Sequence, residues 1–451
     1  MPQSKTTTEQ ARAELIGKTQ ASRTIASQRS EILNSGLAAN LEMPHPIFLE
    51  RGVGGHVWDA DGNDYIDTSV GFGLHMLGHG HPAIKSAIAD RAEKGVMFGI
   101  HSTAQMQLAE LLHEASPCAE RVVFCNTGSE ATMYAFRAAR GFSGRDKVAV
   151  FDGFYHGAHD YGMWVTDPTS PVDEPRKLPM GHGIPQAVHD TVLMLPYRNQ
   201  RAFELIEQHK DELALVFIEG VQSSNPQEGA GEFLQELAAV CERCDVLFGL
   251  DEVITGFRVA YGGTQERFGV TPDIATYGKV LGGGLPIGAV AGTADLMNVF
   301  TGLAAERGVF SGGTFSGNPL TMAAGAAAVQ ELRDHPEIYT RLEAQTKELA
   351  GRVNDHAQRT QLPVQMKHVG SMFHVFFQAG EINSMRDVEA RYTEAEQAFY
   401  LHTLNDGVLV PGTQRAFLCA AHTDEDVARL SSVFCSALDS VAADGLFQDP
   451  A

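Results

Sequence analysis

Short apolar runs alternate with longer amphipathic stretches through the middle of the chain, from about residue 121 to residue 292. This order is typical of a parallel β-sheet covered by helices, because each strand must be followed by a crossover helix. The predicted strands are the runs RVVFC, KVAVF, LALVFIE, VLFGLDE and DIATYGK. The pattern therefore predicts one large α/β domain.

The two ends of the chain have other patterns. The first 60 or so residues indicate a polar helical arm and then a β-hairpin, since GHVWDADGNDYID places an Asp-Gly turn between alternating positions. After about Glu331, a charged helix, strand-like runs such as SMFHVFF and a final helix predict a small α+β domain. We expect three segments: an arm and hairpin over 1–60, a large domain over 61–330 and a small C-terminal domain over 331–451.

Charge and hydropathy exclude several classes of partner. The 451 residues carry a formal net charge of −22, which repels the phosphate backbone of nucleic acids and anionic lipid surfaces. We find no apolar run of the roughly 20 residues that cross a bilayer, and no apolar core of a secretory signal near the start. A cytoplasmic protein that binds neither nucleic acid nor membrane is expected.

Cysteine and histidine spacing gives no convincing metal site. Cys241 and Cys244 form one CxxC pair in a segment with helical periodicity, and no second pair follows. We interpret them as helix-packing residues. His79 and His81 lie in one turn, where two ligands make a poor site, and we interpret them as structural. No metal is predicted.

A first candidate for chemistry is the junction Asn126-Thr127-Gly128-Ser129-Glu130, where an apolar run ends and a helix closed by Gly141 begins. The N-terminus of a helix offers free N–H groups and partial positive charge, and glycine admits a close approach, so the junction suits a phosphate. The same residues are also typical of simple helix capping. Both interpretations stay open on this motif alone.

A second candidate is the acidic pair Asp251-Glu252 at the end of the run VLFGL, at the edge where open α/β sheets bind ligands. A carboxylate facing a pyridine nitrogen keeps it protonated, which makes the ring an electron sink. Either residue would equally serve as a helix cap or an ion-pair partner, and periodicity does not separate these roles.

A third candidate is Lys279, which ends an apolar run beside the glycine loop Gly282-Gly283-Gly284. A lysine at a cofactor edge forms a Schiff base with an aldehyde when desolvation lowers its pKa. The alternative is a solvated surface lysine. Two further stretches join the set: Tyr155-His156-Gly157, whose aromatic residue is suited to stacking on a pyridine ring, and the loop Gly313–Pro319.

In chain order, the motifs NTGSEA, FYHG, IEG, LDEVITGFR, GKVLGGGLPIGA and GTFSGNP resemble those of the class III aminotransferases, which are pyridoxal-phosphate (PLP) enzymes of fold type I. The resemblance runs from about Gly52 to the C-terminus and is closest to the glutamate-1-semialdehyde 2,1-aminomutase branch. It implies PLP as cofactor and a large domain with a mostly parallel sheet beside a small α+β domain.

The resemblance also implies roles for individual residues. Lys279 would carry the cofactor as a Schiff base, and Asp251 would pair with the pyridine nitrogen. The remaining cofactor contacts fall on the two faces of the ring (Tyr155 and Val253), its hydroxyl (Glu219) and its phosphate end (Gly128, Ser129, Asn126 and, from a neighbouring subunit, Thr314). A homodimer follows from the last of these.

The resemblance weakens at the substrate end. The aminomutases carry an Asn-Ser-Pro-Val-Arg stretch whose serine and arginine help bind the substrate carboxylate, whereas this chain reads GLAANLEMPHPIFLERG there. Arg51 comes later than the family position. Near the C-terminus, Arg415 stands where those enzymes typically have a glutamate. It would either bind a carboxylate or lie on a solvated turn.

Pocket residues and reaction follow from the same comparison. Phe72, His75 and the pair His101-Ser102 align with positions that line the family's substrate pocket. With the family arginine missing, we predict a transaminase that moves an amino group from an amine, β-amino acid or amino sugar to a keto or aldehyde acceptor by a ping-pong mechanism. The alternative is a glutamate-1-semialdehyde aminomutase, and a PLP decarboxylase or racemase ranks below both.

Overall fold

A computed structural model describes residues 6–32, 44–302, 307–411 and 415–448. The chain divides into two compact units. The larger comprises Pro82–Tyr339 and Asn383–Asp387, and the smaller comprises Met1–His81, Thr340–Ile382 and Val388–Ala451. Among the described residues, no helix is both long and apolar enough to span a bilayer.

The larger unit is built on a seven-stranded sheet. Its strands, in spatial order, are Arg121–Cys125, Gly288–Gly292, Ile274–Gly278, Leu247–Glu252, Leu213–Glu219, Lys147–Phe151 and Val192–Leu195. Only Gly288–Gly292 runs antiparallel to its neighbours. All five apolar runs singled out in the sequence form strands here, so the prediction of a mostly parallel sheet is confirmed.

Helices cover this sheet, because its central strands have apolar side chains on both faces. Every residue of Leu213–Glu219 is buried. The helices of the larger unit are Pro82–Glu93, Thr103–Ala115, Gly128–Ser143, Gln186–His189, Arg201–His209, Gly231–Arg243, Gly263–Phe268, Ala294–Met297 and Pro319–Asp334. A separate antiparallel hairpin pairs Trp164–Thr166 with Lys177–Pro179. Cys241 and Cys244 are buried free thiols in and just after one of these helices.

One predicted helix end is corrected by the structure. The helix that begins at Gly128 passes through Gly141 and ends at Ser143. Gly144, with φ 73°, takes the left-handed conformation and donates its N–H to the carbonyl of Arg140. Gly141 is instead a packing position, since a methyl group there would lie 2.5 Å from Val309. Gly141 and Gly144 are only three residues apart, and the sequence did not show which of them caps the helix.

The smaller unit contains both ends of the chain. Its helices are Thr7–Lys18, Gln20–Ile32, the short turn Val70–Gly73, most of Glu337–Thr360, Thr393–Asn405 and Asp424–Ala443. One sheet has the strands Leu49–Val53, His56–Asp59, Asp64–Asp67 and Val408–Leu409, and the other has Gln365–Val369, Met372–Phe376 and Ala416–Phe417.

A shared core joins these two ends. Leu15 of the arm packs with Val57 and Tyr65 of the hairpin and with Leu401 and Leu404 of the C-terminal region. The three predicted segments follow one another along the chain, whereas the compact units do not. The arm with its hairpin forms one unit with the C-terminal segment, because apolar side chains from all three bury one another.

Candidate active site

The candidate residues of the larger unit gather at one edge of the sheet. Parallel strands end at a common edge, and Asp251 lies in register with Glu219 on one side and with Thr276 on the other. The antiparallel strand starts at the same edge, where Gly288 lies opposite both Gly278 and Cys125. The acidic pair, the lysine loop and the start of the Gly128 helix therefore meet there.

Asp251 is buried and has three hydrogen-bond partners. Its Oδ2 lies 2.8 Å from Nδ1 of His156, and its Oδ1 accepts hydrogen bonds from the N–H of Val253 at 3.0 Å and the hydroxyl of Thr276 at 3.2 Å. Asp251 is 4% exposed and His156 is 2% exposed. Such a pair holds a carboxylate in one orientation at a place where water does not screen it.

Glu252 has a different task from its neighbour, since successive side chains of a strand point to opposite faces. Its Oε1 accepts hydrogen bonds from the N–H of Thr264 at 2.9 Å and of Gln265 at 3.2 Å. Burial raises the pKa of the Glu252 carboxyl. The helix-cap alternative therefore applies to Glu252, which holds the start of Gly263–Phe268, whereas Asp251 pairs with His156.

The Gly128 helix begins within reach of Val253. Thr127 is its N-cap and accepts a hydrogen bond from the N–H of Glu130 at 3.0 Å. The N–H groups of Gly128 and Ser129 belong to the first turn, where no carbonyl of the helix itself can accept from them. A methyl group on Gly128 would lie 2.7 Å from Cγ1 of Val253, so only glycine allows this approach. Capping by Thr127 uses the N–H of Glu130, which is a different donor from the N–H groups of Gly128 and Ser129.

The loop that carries Tyr155 is fastened to the same helix. Ser129 Oγ accepts a hydrogen bond from the N–H of Ala158 at 2.9 Å, and the hydroxyl of Thr132 donates to the carbonyl of His156 at 2.6 Å. Gly157, at φ 102°, sits so close that a side chain there would meet Ser129. Tyr155 remains 37% exposed beside these contacts, and Ser129 keeps its own O–H as a donor.

Lys279 occupies a strained position at the end of its strand. Its φ is 46°, a left-handed conformation that costs a non-glycine residue on the order of 1–2 kcal/mol. The preceding Gly278 lies against Val253, since a side chain at Gly278 would come within 3.2 Å of Cγ1. The same position lies 3.6 Å from Cα of Gly128, so Gly278, which precedes Lys279, lies beside both Val253 and Gly128. Strain of this kind is common where a side chain must be held for function.

Buried polar atoms without partners lie just after Glu219. Glu219 Oε2 accepts a hydrogen bond from the N–H of Ser223 at 2.8 Å. Within the residues that the structure describes, the hydroxyl of Ser223 and both amide atoms of Asn225 are buried without a hydrogen-bond partner. Buried polar atoms normally have partners, so these favour a bound polar ligand at the same edge. The sequence analysis did not single out Ser223 or Asn225, and it gave His156 no role of its own.

Four other predicted residues of the larger unit lie in or beside loops. Asn126 donates from Nδ2 to the hydroxyl of Ser316 at 3.4 Å, which brings the phosphate-end motif beside the loop that contains Thr314. Thr314 is exposed, as is His101. Ser102 begins the helix Thr103–Ala115 as its N-cap.

The other predicted pocket residues belong to the smaller unit. Phe72 stands in a turn of four consecutive residues with positive φ, from Val70 at 38° to Gly73 at 85°, and is 38% exposed. The ring of His75 lies 4.2 Å from that of His79, whose Nε2 is 2.8 Å from a carboxylate oxygen of Asp67.

The two arginines of the smaller unit differ in their surroundings. Arg51 places its guanidinium 4.5 Å from the ring centre of Trp58, within the hairpin. The Nε of Arg415 is buried and has no hydrogen-bond partner in the described part of the chain. A guanidinium with a dry, unpaired N–H favours an anionic ligand.

Comparison with known proteins decides the family. The model of class III aminotransferases matches residues 37–427. The chain belongs to the class III aminotransferase family. A glutamate-1-semialdehyde 2,1-aminomutase of Methanocaldococcus jannaschii is 37% identical over 391 residues, which cover 85% of this chain and 89% of that protein.

Two solved structures extend the comparison. An omega-transaminase from Sphaerobacter thermophilus superposes with a TM-score of 0.89 at 32% identity, covering 94% of this chain and 98% of that one. A β-phenylalanine aminotransferase from Variovorax paradoxus gives a TM-score of 0.86 at 29% identity, covering 97% of each chain. The prediction of fold type I is confirmed.

The class III aminotransferase is a PLP enzyme, as predicted. Its residues fit the cofactor on three observations: the cradle at Gly128 that a side chain would fill, the buried Asp251 beside it in the sheet edge, and the unpaired polar atoms after Glu219. Of the residues that reasoning from sequence missed, His156 had a signal, since it stands beside Tyr155 in the FYHG motif.

Proposed function

We propose that this enzyme is a transaminase that moves an amino group between an amine, β-amino acid or amino sugar and a keto or aldehyde acceptor through Lys279, in a ping-pong mechanism. Among these donors the β-amino acids rank first. The observation that carries this choice is the buried, unpaired Nε–H of Arg415, which favours a substrate with a carboxylate.

The sheet edge would hold the cofactor by four sets of residues. The N–H groups of Gly128 and Ser129 bind the phosphate, with Asn126 at the same end. Asp251, oriented by His156, faces the pyridine nitrogen and keeps it protonated. The two ring faces meet Tyr155 and Val253, and the ring hydroxyl lies near Glu219. Bound PLP supplies an aldehyde for amines and a ring that accepts an electron pair.

Lys279 supplies the reactive amine of this site. An incoming donor amine displaces it, and its free Nζ then removes the proton from the carbon that carries the donor's nitrogen. Lys279 would return that proton to a neighbouring carbon on the cofactor side, and water would then break the bond between the donor carbon and its nitrogen, so that the donor leaves as a keto compound. An acceptor would take up the amino group by the same steps in reverse. The strained φ of Lys279 holds its backbone at the end of the strand, so the amine starts from a defined place.

The solved relatives support this choice of reaction. One is an omega-transaminase and another a β-phenylalanine aminotransferase, with 32% and 29% identity to this chain. Phe72, His75 and His101 stay predictions for the substrate pocket, as the family resemblance implies. Arg51, held over Trp58, is occupied within its hairpin.

A homodimer is part of the proposal, with Thr314 reaching the phosphate of the neighbouring subunit. Two exposed segments of the larger unit support it. Val96, Phe98 and Ile100 are 46%, 49% and 80% exposed, and Phe310 and Phe315 are 60% and 63% exposed. Apolar side chains exposed in this number favour burial against another protein surface. A second copy of this chain is the proposed partner.

A second candidate function is a glutamate-1-semialdehyde 2,1-aminomutase. It is favoured by the curated relatives, such as the archaeal enzyme at 37% identity that carries this name. Both reactions would use the same cofactor residues. They differ in whether the amino group leaves with the acceptor or returns to the same substrate.

Replacing Arg415 with Gln tests the proposal. A hydrogen bond to a charged group contributes about 1.5–3 kcal/mol, so the KM for a β-amino acid should rise about 10- to 100-fold. The KM for a simple amine should stay within a factor of about 3 because it has no carboxylate. Arg51→Gln is the matched control, and an equal KM change for both donors would contradict the carboxylate role.

A further inference from the structure

A five-residue excursion from the C-terminal region belongs to the larger unit. The chain leaves the smaller unit after Ile382 and returns to it at Val388, and Asn383–Asp387 is compact with the larger unit. Gln227 of that unit donates a side-chain hydrogen bond to the carbonyl of Asn383 at 2.9 Å. No motif in the sequence singled out this segment.

Arg386 of the excursion is the centre of a buried polar network. Its Nε pairs with the carboxylate of Asp152, and the two side chains are 13% and 5% exposed. Its remaining N–H groups donate to the hydroxyl of Ser170 at 2.6 Å and to the carbonyl of Ser170 at 3.0 Å. The hydroxyl of Thr166 also donates to Asp152. One guanidinium therefore ties the turn at Asp152 to the loop at Ser170.

The next residue of the turn, Gly153, is in contact with both the excursion and Gln222. Gly153 has φ 81°, and a side chain there would lie 2.9 Å from Cβ of Met385 and 2.7 Å from Nε2 of Gln222. Gln222 donates from Nε2 to the carbonyl of Gly153 at 3.0 Å. Met385 of the excursion and Gln222 of the sheet edge thus both lie against Gly153.

This turn leads directly to the residues assigned to the cofactor. Tyr155 and His156 follow Asp152 by three and four residues. Phe154, which directly precedes Tyr155, packs against Tyr197 with ring centres 5.0 Å apart. A shift of the turn would move the Tyr155 ring and the His156 imidazole together.

We propose that Arg386 is a positioning residue for the cofactor site: through Asp152 and Ser170 it fixes the turn that presents Tyr155 to the ring of PLP. The inference rests on the proposed role of Tyr155. Arginine is suited to this task because its planar fork makes several hydrogen bonds at fixed angles, which a lysine does not reproduce. Loss of one partner of a buried ion pair also leaves the other charge without compensation.

The test measures how fast the holoenzyme loses PLP after dilution into a PLP trap, and the circular dichroism of the cofactor's visible band. Arg386→Gln should release PLP about 10-fold faster, the equivalent of about 1.4 kcal/mol, with a weaker dichroic band. Arg386→Lys should fall between this variant and the wild type. Arg176→Gln is the control, since Arg176 is 60% exposed and pairs with Asp167 of the same loop at 3.0 Å.

Tyr155→Ala separates this inference from the proposed function. Rapid release from both Tyr155→Ala and Arg386→Gln, with Arg176→Gln unchanged, supports the positioning role. Rapid release from Tyr155→Ala with wild-type release from Arg386→Gln overturns it. Wild-type release from Tyr155→Ala shows that Tyr155 does not hold the ring, and then both the assignment of Tyr155 and the role of Arg386 fail. If Arg386→Gln does not fold, Arg386→Lys and Asp152→Asn carry the same comparison.

Discussion

The pair His156 and Asp251 can be tested by replacing His156 with Phe. Phe keeps the aromatic packing, since the imidazole lies 4.9 Å from the ring of Phe217, but it removes the donor 2.8 Å from Asp251 Oδ2. A hydrogen bond to a charged acceptor contributes about 1.5–3 kcal/mol, and a buried carboxylate left short of a donor adds its desolvation cost. We therefore expect the larger unit to lose about 2–3 kcal/mol.

Tryptophan fluorescence reports on the larger unit alone in a Trp58→Phe background, because Trp164 is then the only tryptophan of the chain. Urea unfolding followed at Trp164 should show a lower midpoint with an unchanged slope for His156→Phe. His209→Phe is the matched control: it removes a half-buried histidine 3.1 Å from Glu212, a pair worth about 0.5 kcal/mol or less. An unchanged midpoint for His156→Phe would show that the hydrogen bond between His156 and Asp251 does not stabilise the larger unit.

Three further predictions use other groups. Lys279→Ala should fold, lose the visible absorbance of the covalently bound cofactor and lose activity about 1,000-fold or more, as measured by spectroscopy and amino transfer. Burial lowers the pKa of His159 to about 4. The free energy of unfolding of the larger unit should therefore fall by up to about 3 kcal/mol as pH falls from 6.5 to 4, because the unfolded chain binds the proton first. In His159→Gln, this dependence of the unfolding free energy on pH, followed by Trp164 fluorescence, should be weaker. Burial raises the pKa of Glu396 to about 7, so the smaller unit should lose stability as pH rises from 4.5 to 7. Glu396→Gln should then be more stable than the wild type by about 1–3 kcal/mol at pH 8 and equal to it at pH 4, with Trp58 as the probe. Equal stability at pH 8 would show that Glu396 is not held protonated.

Much of the larger unit was predictable because its strands are buried on both faces. Such strands appear in a sequence as unbroken apolar runs, and the residues that end them, Asp251 and Lys279 among them, stand out as polar. Parallel strands share a common edge, so these ends had to meet. The order of motifs then identified the family and its cofactor.

What the sequence left undecided depends on contacts between distant residues. Whether Asp251 or Glu252 caps a helix depends on the face to which each side chain points, and the two faces are alike in the sequence. His156 pairs with Asp251 across 95 residues of sequence, and Arg386, in the C-terminal region, forms an ion pair with Asp152. The joining of both chain ends in one core is likewise a tertiary effect.

The most direct test of the transaminase assignment is a single half-reaction. Purified enzyme loaded with PLP is mixed with a β-amino acid and no acceptor, and the absorbance of the cofactor is followed, with Lys279→Ala as control. In a second assay the same enzyme is given glutamate 1-semialdehyde, and the formation of 5-aminolevulinate is measured. We expect the β-amino acid to convert the cofactor to pyridoxamine 5′-phosphate with release of the keto acid. We expect no 5-aminolevulinate from glutamate 1-semialdehyde. Rapid formation of 5-aminolevulinate, with the β-amino acid leaving the cofactor unchanged, would contradict the transaminase assignment.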